Sequence, residues 1–254
     1  MPDQNVVVLV GGVGGAKLAL GLSLILPPQN LTVIINVADD FWHYGLKICP
    51  DSDTILYTLS GLVDKTNGWG VAGDTVTTLE QLRAYGADAW FRLGDRDMAT
   101  HLYRTERLRQ GARLTQVLTE LASALGVRVR LLPVTDDRLE TIVHTQEQGA
   151  LAFQEYFVRH RWQPTLTSLE YSGSESARLT PEVISAIEHA DVILLAPSNP
   201  YLSVEPMLCV PSMRDLLKSR GVPRVAVTPI IGAQAVKGPA AKIMRELELE
   251  VSAE

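Results

Sequence analysis

The chain has 254 residues, a formal net charge of −6, 46% hydrophobic and 20% charged residues. That length holds one large α/β domain or two small ones, and the composition excludes a disordered chain. The acidic balance offers no basic face to steer a nucleic acid, which leaves only a local basic site for a small anion.

Taken in chain order, Asn5 to Val10 predict a buried strand that ends at glycine. Gly11 to Gly15 predict a loop, and Ala16 to Leu26 a helix stopped by Pro27 and Pro28. The apolar run from Val6 to Leu26 resembles a signal or a membrane span in composition alone. Asp3 precedes it, Lys17 interrupts it and four glycines break it, so it reads as strand, loop and helix. Leu31 to Val37 predict a second strand, apolar without alternation, as in a parallel sheet covered on both faces. Cys49 and Cys209 stand outside any CxxC pair, so no zinc or redox motif is present and a reducing cytoplasm is the simpler setting.

Helical spacing follows over Thr54–Val63, Thr75–Tyr85, Met98–Gln110 and Leu114–Leu125, then a strand over Arg128–Val134. Thr141–Thr145 and Leu151–Val158 read as hairpin strands or a short helix, and Leu166–Tyr171 as a strand. A helix over Pro181–His189 has Thr180 as N-cap and proline at its first position. Strands over Asp191–Ala196 and Arg224–Thr228 alternate with helices over Pro211–Ser219 and Pro239–Leu249. The expected fold is one doubly wound α/β domain with a mostly helical insertion from about residue 54 to 125. An α/β layer would continue into a strand after the last helix, so the chain reads as a fragment or a short variant.

Six segments carry candidate chemistry. Gly11-Gly12-Val13-Gly14-Gly15-Ala16-Lys17 joins a strand to a helix, where bare amides favour an anion. It matches neither the Walker pattern nor the full dinucleotide fingerprint, and a structural tight turn is the plain alternative. Asn36-Val37-Ala38-Asp39-Asp40 lies at the ligand edge of the second strand, where aspartates hold a ribose, a metal, a proton or merely a helix cap. Asp51 and Asp53 precede a helical run, as caps or as magnesium ligands. Arg92-Leu93-Gly94-Asp95-Arg96-Asp97, with Thr100, His101 and Arg104 beyond it, suggests an anion site or a surface ion-pair network. Arg104, Arg107 and Arg109 read as a solvated helix face. Ser198-Asn199-Pro200 and Pro229-Ile230-Ile231-Gly232 end later strands. His144, His160 and His189 are assigned nothing, and no GxSxG, HExxH or Cys–His pairing is present.

This ordered set, together with Trp69-Gly70 and Gly238-Pro239-Ala240, resembles the 2-phospho-L-lactate transferase (CofD) family from the first strand to the end of the chain. The resemblance implies a Rossmann-like, mostly parallel sheet and a cytoplasmic homodimer. It implies magnesium-dependent transfer of a phospho-organic acid from lactyl or enolpyruvyl diphosphoguanosine to the ribityl hydroxyl of the deazaflavin Fo, with release of GMP. It also implies that the family continues beyond the point where this chain stops. Asp53 and Arg92 match the family's Fo-contacting positions. Gly12, Val13, Gly14, Gly15, Lys17, Ser198, Asn199, Ile231 and Gly232 would surround the guanosine diphosphate moiety. Asp39, Asp40, Asp51 and Asp53 are the candidate magnesium ligands, with Asp53 first, then Asp51, to accept the Fo proton and Arg92 to fix the acceptor. Two other readings stay open: a non-catalytic nucleotide or nucleotide-sugar binding regulator, as in the related gluconeogenesis-factor family, and a nicotinamide-dependent oxidoreductase.

Overall fold

The computed structural model describes residues 4–253. Strands β1 (Val6–Val10) and β2 (Leu31–Ile35) flank helix α1 (Gly12–Ile25), and a short hairpin follows, β3 (Phe41–His43) with β4 (Leu46–Ile48). Helices α2 (Pro50–Leu59), α3 (Thr77–Ala84), α4 (Asp95–Arg109) and α5 (Leu114–Ala124) lead to β5 (Arg130–Pro133). An antiparallel unit comes next, β6 (Glu140–Thr145), β7 (Gly149–Ala152) and β8 (Leu166–Ser172). Then come α6 (Pro181–Glu188), β9 (Val192–Leu195), a π-helical turn at Pro200–Val204, α7 (Glu205–Leu208), α8 (Met213–Ser219), β10 (Arg224–Ala226), the two-residue pair β11 (Ile230–Ile231) and β12 (Gln234–Ala235), and α9 (Ala240–Glu246).

The main sheet runs β10-β9-β1-β2-β5, parallel throughout. β1 explains its unbroken apolar sequence. Val7 and Leu9 pack with Val183, Ile187 and Met213 of α6 and α8. Val6, Val8 and Val10 pack with Ala16, Ile55, Leu56, Val117 and Leu121 of α1, α2 and α5. Both faces are covered, so every position must be apolar. Val8, Leu9 and Val10 are wholly buried, each contributing about 1.5–3 kcal/mol.

Two expectations change. The glycine segment is the first turn of α1 rather than a loop, because close packing outweighs glycine's poor helix propensity. Helix α2 starts at Pro50 instead of Thr54, with proline in its favoured first position, so Asp51 and Asp53 lie inside the helix instead of capping it. The ambiguous stretch after residue 139 resolves into the β6–β7 hairpin followed by a π-helical turn at Glu155–Arg159. The β3–β4 hairpin was not anticipated.

Thr180 caps α6 as expected, its hydroxyl accepting the Val183 N–H at 3.1 Å. Thr180→Ala is expected to cost about 1 kcal/mol and to lower the melting temperature by about 2–4 °C, read by circular dichroism.

Candidate active site

The strand order reverses between β1 and β9, so the connections leaving their carboxyl ends diverge, and open α/β sheets bind their ligands in the crevice at such a point. Gly11 leaves β1 there and Ser198 follows β9. The buried Ser198 hydroxyl accepts the Gly11 N–H at 3.2 Å and donates to the Gly11 carbonyl at 2.9 Å. The Gly12 N–H donates to Asp51 Oδ1 at 2.8 Å. The first turn of a helix leaves four amides without intrahelical acceptors. Here the protein uses those of Gly11 and Gly12, while those of half-buried Val13 and Gly14 take no acceptor among the described residues. Packing accounts for two glycines: a Cβ on Gly14 would lie 2.1 Å from the Pro197 carbonyl oxygen, and one on Gly15 would lie 2.8 Å from Val10 Cβ. Lys17 is exposed on the following turn.

Beside this crevice three acids are buried together. Asn36 donates to Asp51 Oδ2 at 3.0 Å and accepts the Ala38 N–H at 3.0 Å, so Asp51 is held at both oxygens. Asp39 Oδ1 and both oxygens of Asp40 have no hydrogen-bond partner, and the Lys47 ammonium stands 3.8 Å from Asp40. Burial, reinforced by Asp51 and opposed in part by Asn36, pushes the Asp39 carboxyl well above its ordinary range. Burial raises Asp40 to about 6 and Asp51 to about 7. Hydrogen bonds to Asp51 and the Lys47 ammonium beside Asp40 offset only part of the cost of burial.

Asp53 lies in a buried network between α2 and α4. Arg104 donates to both of its oxygens, to the Lys47 carbonyl at 3.1 Å and toward His101 Nδ1 at 3.1 Å. His101 Nε2 lies 3.3 Å from Asp97 Oδ1, which also accepts the Tyr57 hydroxyl at 2.7 Å. The expectation of a solvated face is therefore corrected for Arg104, which is 1% exposed. It points inward because α4 lies against α2 and β4, and a guanidinium there is tolerated because both its Nη1 and Nη2 groups meet acceptors. Arg107 does pair at the surface, with Glu120.

Asp53, Asp97 and His101 offer ligand atoms within 4.8 Å of one another, a group that could hold a metal ion. The oxygen-rich preference of magnesium is met better elsewhere. Asp53 already carries the Arg104 cation at both oxygens, whereas Asp39 and Asp40 present buried oxygens without hydrogen-bond partners, with only Lys47 in loose ion-pair range of Asp40.

Arg92 is exposed and makes no ion pair or hydrogen bond with the described residues. It lines a cavity with Trp69, Gly70, Asp74 and Asp97. The neighbouring acids are caps: Asp95 accepts the N–H groups of Thr77 and Thr78, and Asp74 those of Arg96 and Asp97. Asn199 caps too, accepting from Tyr201 and Leu202. Ile231 and Gly232 are exposed at the β11–β12 turn. A second cavity, lined by Asp137, Arg138, Ser172, Gly173, Ser176 and Arg178, shares no lining residue with the groups above. Sequence reading missed Tyr57 and the inward turn of Arg104, and it named the segment from Asn36 without giving Asn36 a role of its own. A signal for Arg104 existed in the spacing of Asp97, His101 and Arg104, which share one face of α4.

A family model described as 2-phospho-L-lactate transferase CofD matches residues 6–253. A phosphoenolpyruvate transferase of Streptomyces coelicolor is 43% identical over 254 residues, covering 98% of this chain and 80% of its own length. A 2-phospho-L-lactate transferase of Methanosarcina mazei is 41% identical over 246 residues, covering 97% and 80% respectively. A solved UPF0052-family protein from Bacillus halodurans superposes with a TM-score of 0.62 at 20% identity, over 89% of this chain and 69% of that one, a likeness of fold alone.

Proposed function

The chain belongs to the 2-phospho-L-lactate transferase CofD family of transferases, and from that membership we propose that it transfers a phospholactyl or phosphoenolpyruvyl group from a diphosphoguanosine donor to the hydroxyl of the deazaflavin Fo, releasing GMP, in coenzyme F-420 biosynthesis. One observation carries the reading from the chain's own side. The glycine turn, Asn36 to Asp40, Asp51 and Ser198 converge at the point where the sheet order reverses.

In this reading the donor diphosphate lies over the amides of Val13 and Gly14 at the positive end of α1. Ser198 fixes the backbone of Gly11 beneath it. Magnesium held by Asp39 and Asp40 would neutralise diphosphate charge as a Lewis acid. Asp51 braces the first turn of α1 through Gly12 and, raised to about 7, exchanges a proton near neutrality. Arg92 supplies a cation to the carboxylate of the transferred acid. Asp53, fixed at both oxygens by Arg104, holds α2 to α4.

The test is turnover of Fo with Mg²⁺ and each of the two donors, read as charged Fo product by chromatography with GMP release. The similar identities to relatives bearing either name do not select the acid, so the donor giving the higher kcat/KM names it. Absence of product with both donors, in protein shown to bind Fo or not, removes the reading and leaves a nucleotide-binding role in its place. Among the described residues no helix is long and apolar enough to cross a membrane.

A further inference from the structure

Asp97 stands in the first turn of α4, on the wall of the cavity that Trp69 and Arg92 also line. Its two oxygens are used differently. Oδ1 accepts the Tyr57 hydroxyl at 2.7 Å and has His101 Nε2 at 3.3 Å. Oδ2 takes no hydrogen bond from the described residues. The Asp97 side chain keeps 14% of its exposure, against 7% for that of Asp53.

The groups behind Asp97 fix its orientation. A guanidinium only donates. Arg104 Nη1, 3.1 Å from His101 Nδ1, therefore makes that nitrogen an acceptor and leaves the His101 proton on Nε2, beside Asp97. Burial pushes the Tyr57 hydroxyl far above its ordinary range, so it stays protonated and donates. One Asp97 oxygen is thus anchored from behind, and the other has no partner among the described residues in a side chain that lines the cavity.

We infer that Asp97 is a catalytic residue of the transfer, its Oδ2 taking the proton of the acceptor hydroxyl at the cavity that Trp69 and Arg92 also line. This rests on the transferase reading above. The acceptor oxygen forms a bond to the phosphorus that bears the organic acid. The bridging P–O bond breaks, and its electron pair leaves with GMP. The hydroxyl proton passes to Asp97 Oδ2 and from there to water. Asp53 is the poorer candidate because Arg104 holds both its oxygens, and Asp51 because Gly12 and Asn36 hold both of its own. Trp69, 42% exposed, suits a planar acceptor that stacks on an aromatic face.

The test compares wild type and Asp97→Asn in the Fo assay, with kcat expressed per folded molecule from melts of the same preparations. Asparagine keeps an acceptor for Tyr57 and cannot take the proton. A fall in kcat of about 10²–10⁴-fold, with acceptor KM within about twofold, is expected for loss of a general base. A fall below about tenfold, or a loss carried by KM, overturns the inference. Should Asp97→Asn not fold, the same criteria apply to Asp97→Ser, which leaves Tyr57 a partner. Failure of the wild type to form any product is a different result: it removes the transferase reading itself.

Discussion

Arg104→Met should destabilise the protein by about 3–5 kcal/mol and lower its melting temperature by about 6–20 °C. The guanidinium is 1% exposed and meets both oxygens of Asp53, the Lys47 carbonyl and His101. Removing it leaves the Asp53 carboxylate buried with no counter-charge, and that loss is large even where an intact buried pair stabilises little. The double variant Asp53→Leu/Arg104→Met should recover much of the lost melting temperature, since it removes both charges at once. A single variant melting within about 2 °C of wild type, a shift expected of well under 2 kcal/mol, would show that Arg104 is not enclosed. The same geometry governs how Asp53→Asn must be read. Neutralising Asp53 strands a buried arginine, so a loss of total activity mixes unfolding with chemistry, and only a rate per folded molecule separates them.

The outline of this pair was within reach of the sequence, and its meaning was not. Asp53 four residues before Tyr57, and Asp97, His101 and Arg104 at helical spacing, place each set on one face of its own helix. Which faces meet depends on how α4 crosses α2, and a single sequence carries no term for that. Arg104 accordingly read like its neighbours Arg107 and Arg109. The parallel core was legible because a strand covered on both faces is apolar without alternation, as β1 shows throughout and β2 at every position but Thr32. The glycine turn was legible as special but not as to cause. Gly14 is needed because the Pro197 carbonyl lies where its Cβ would be, a contact between segments more than 180 residues apart. Asp95 and Asp74 looked like members of an anion site. They are helix caps, since carboxylates satisfy orphan amides in the same way wherever a helix starts. Sequence could name the acids near the site, and all of them are equally buried, but only the fold's partners separate Asp39 and Asp40, whose oxygens lack hydrogen bonds, from Asp53, which Arg104 already pairs.

That separation yields the other large expected effect. Burial lifts Asp40 from an ordinary 3.8 to about 6 and Asp51 to about 7. Between those values the folded protein keeps protons that the unfolded chain has released. Metal-free stability from these two groups is therefore fully present below about pH 4, falls as pH rises, and levels off above about pH 7. Asp97, held low, works in the opposite direction at acid pH, so the contribution is isolated by comparing variants. Asp40→Asn should flatten the falling limb and raise the metal-free melting temperature at pH 7.5, by a gain on the order of 1 kcal/mol or about 2–4 °C. The same change should abolish most of the turnover, the trade expected where function requires buried charge. Mg²⁺ added to chelator-treated wild type should raise its melting temperature more at pH 7.5 than at pH 5.5, because ligand carboxylates must be ionised to bind it. At about a hundred times its dissociation constant the stabilisation is about 2.7 kcal/mol. An Asp40→Asn protein with full activity, or an Mg²⁺ shift equal at the two pH values and unchanged by the substitution, would place the metal away from Asp39 and Asp40. The group of Asp53, Asp97 and His101 would then be the next to test.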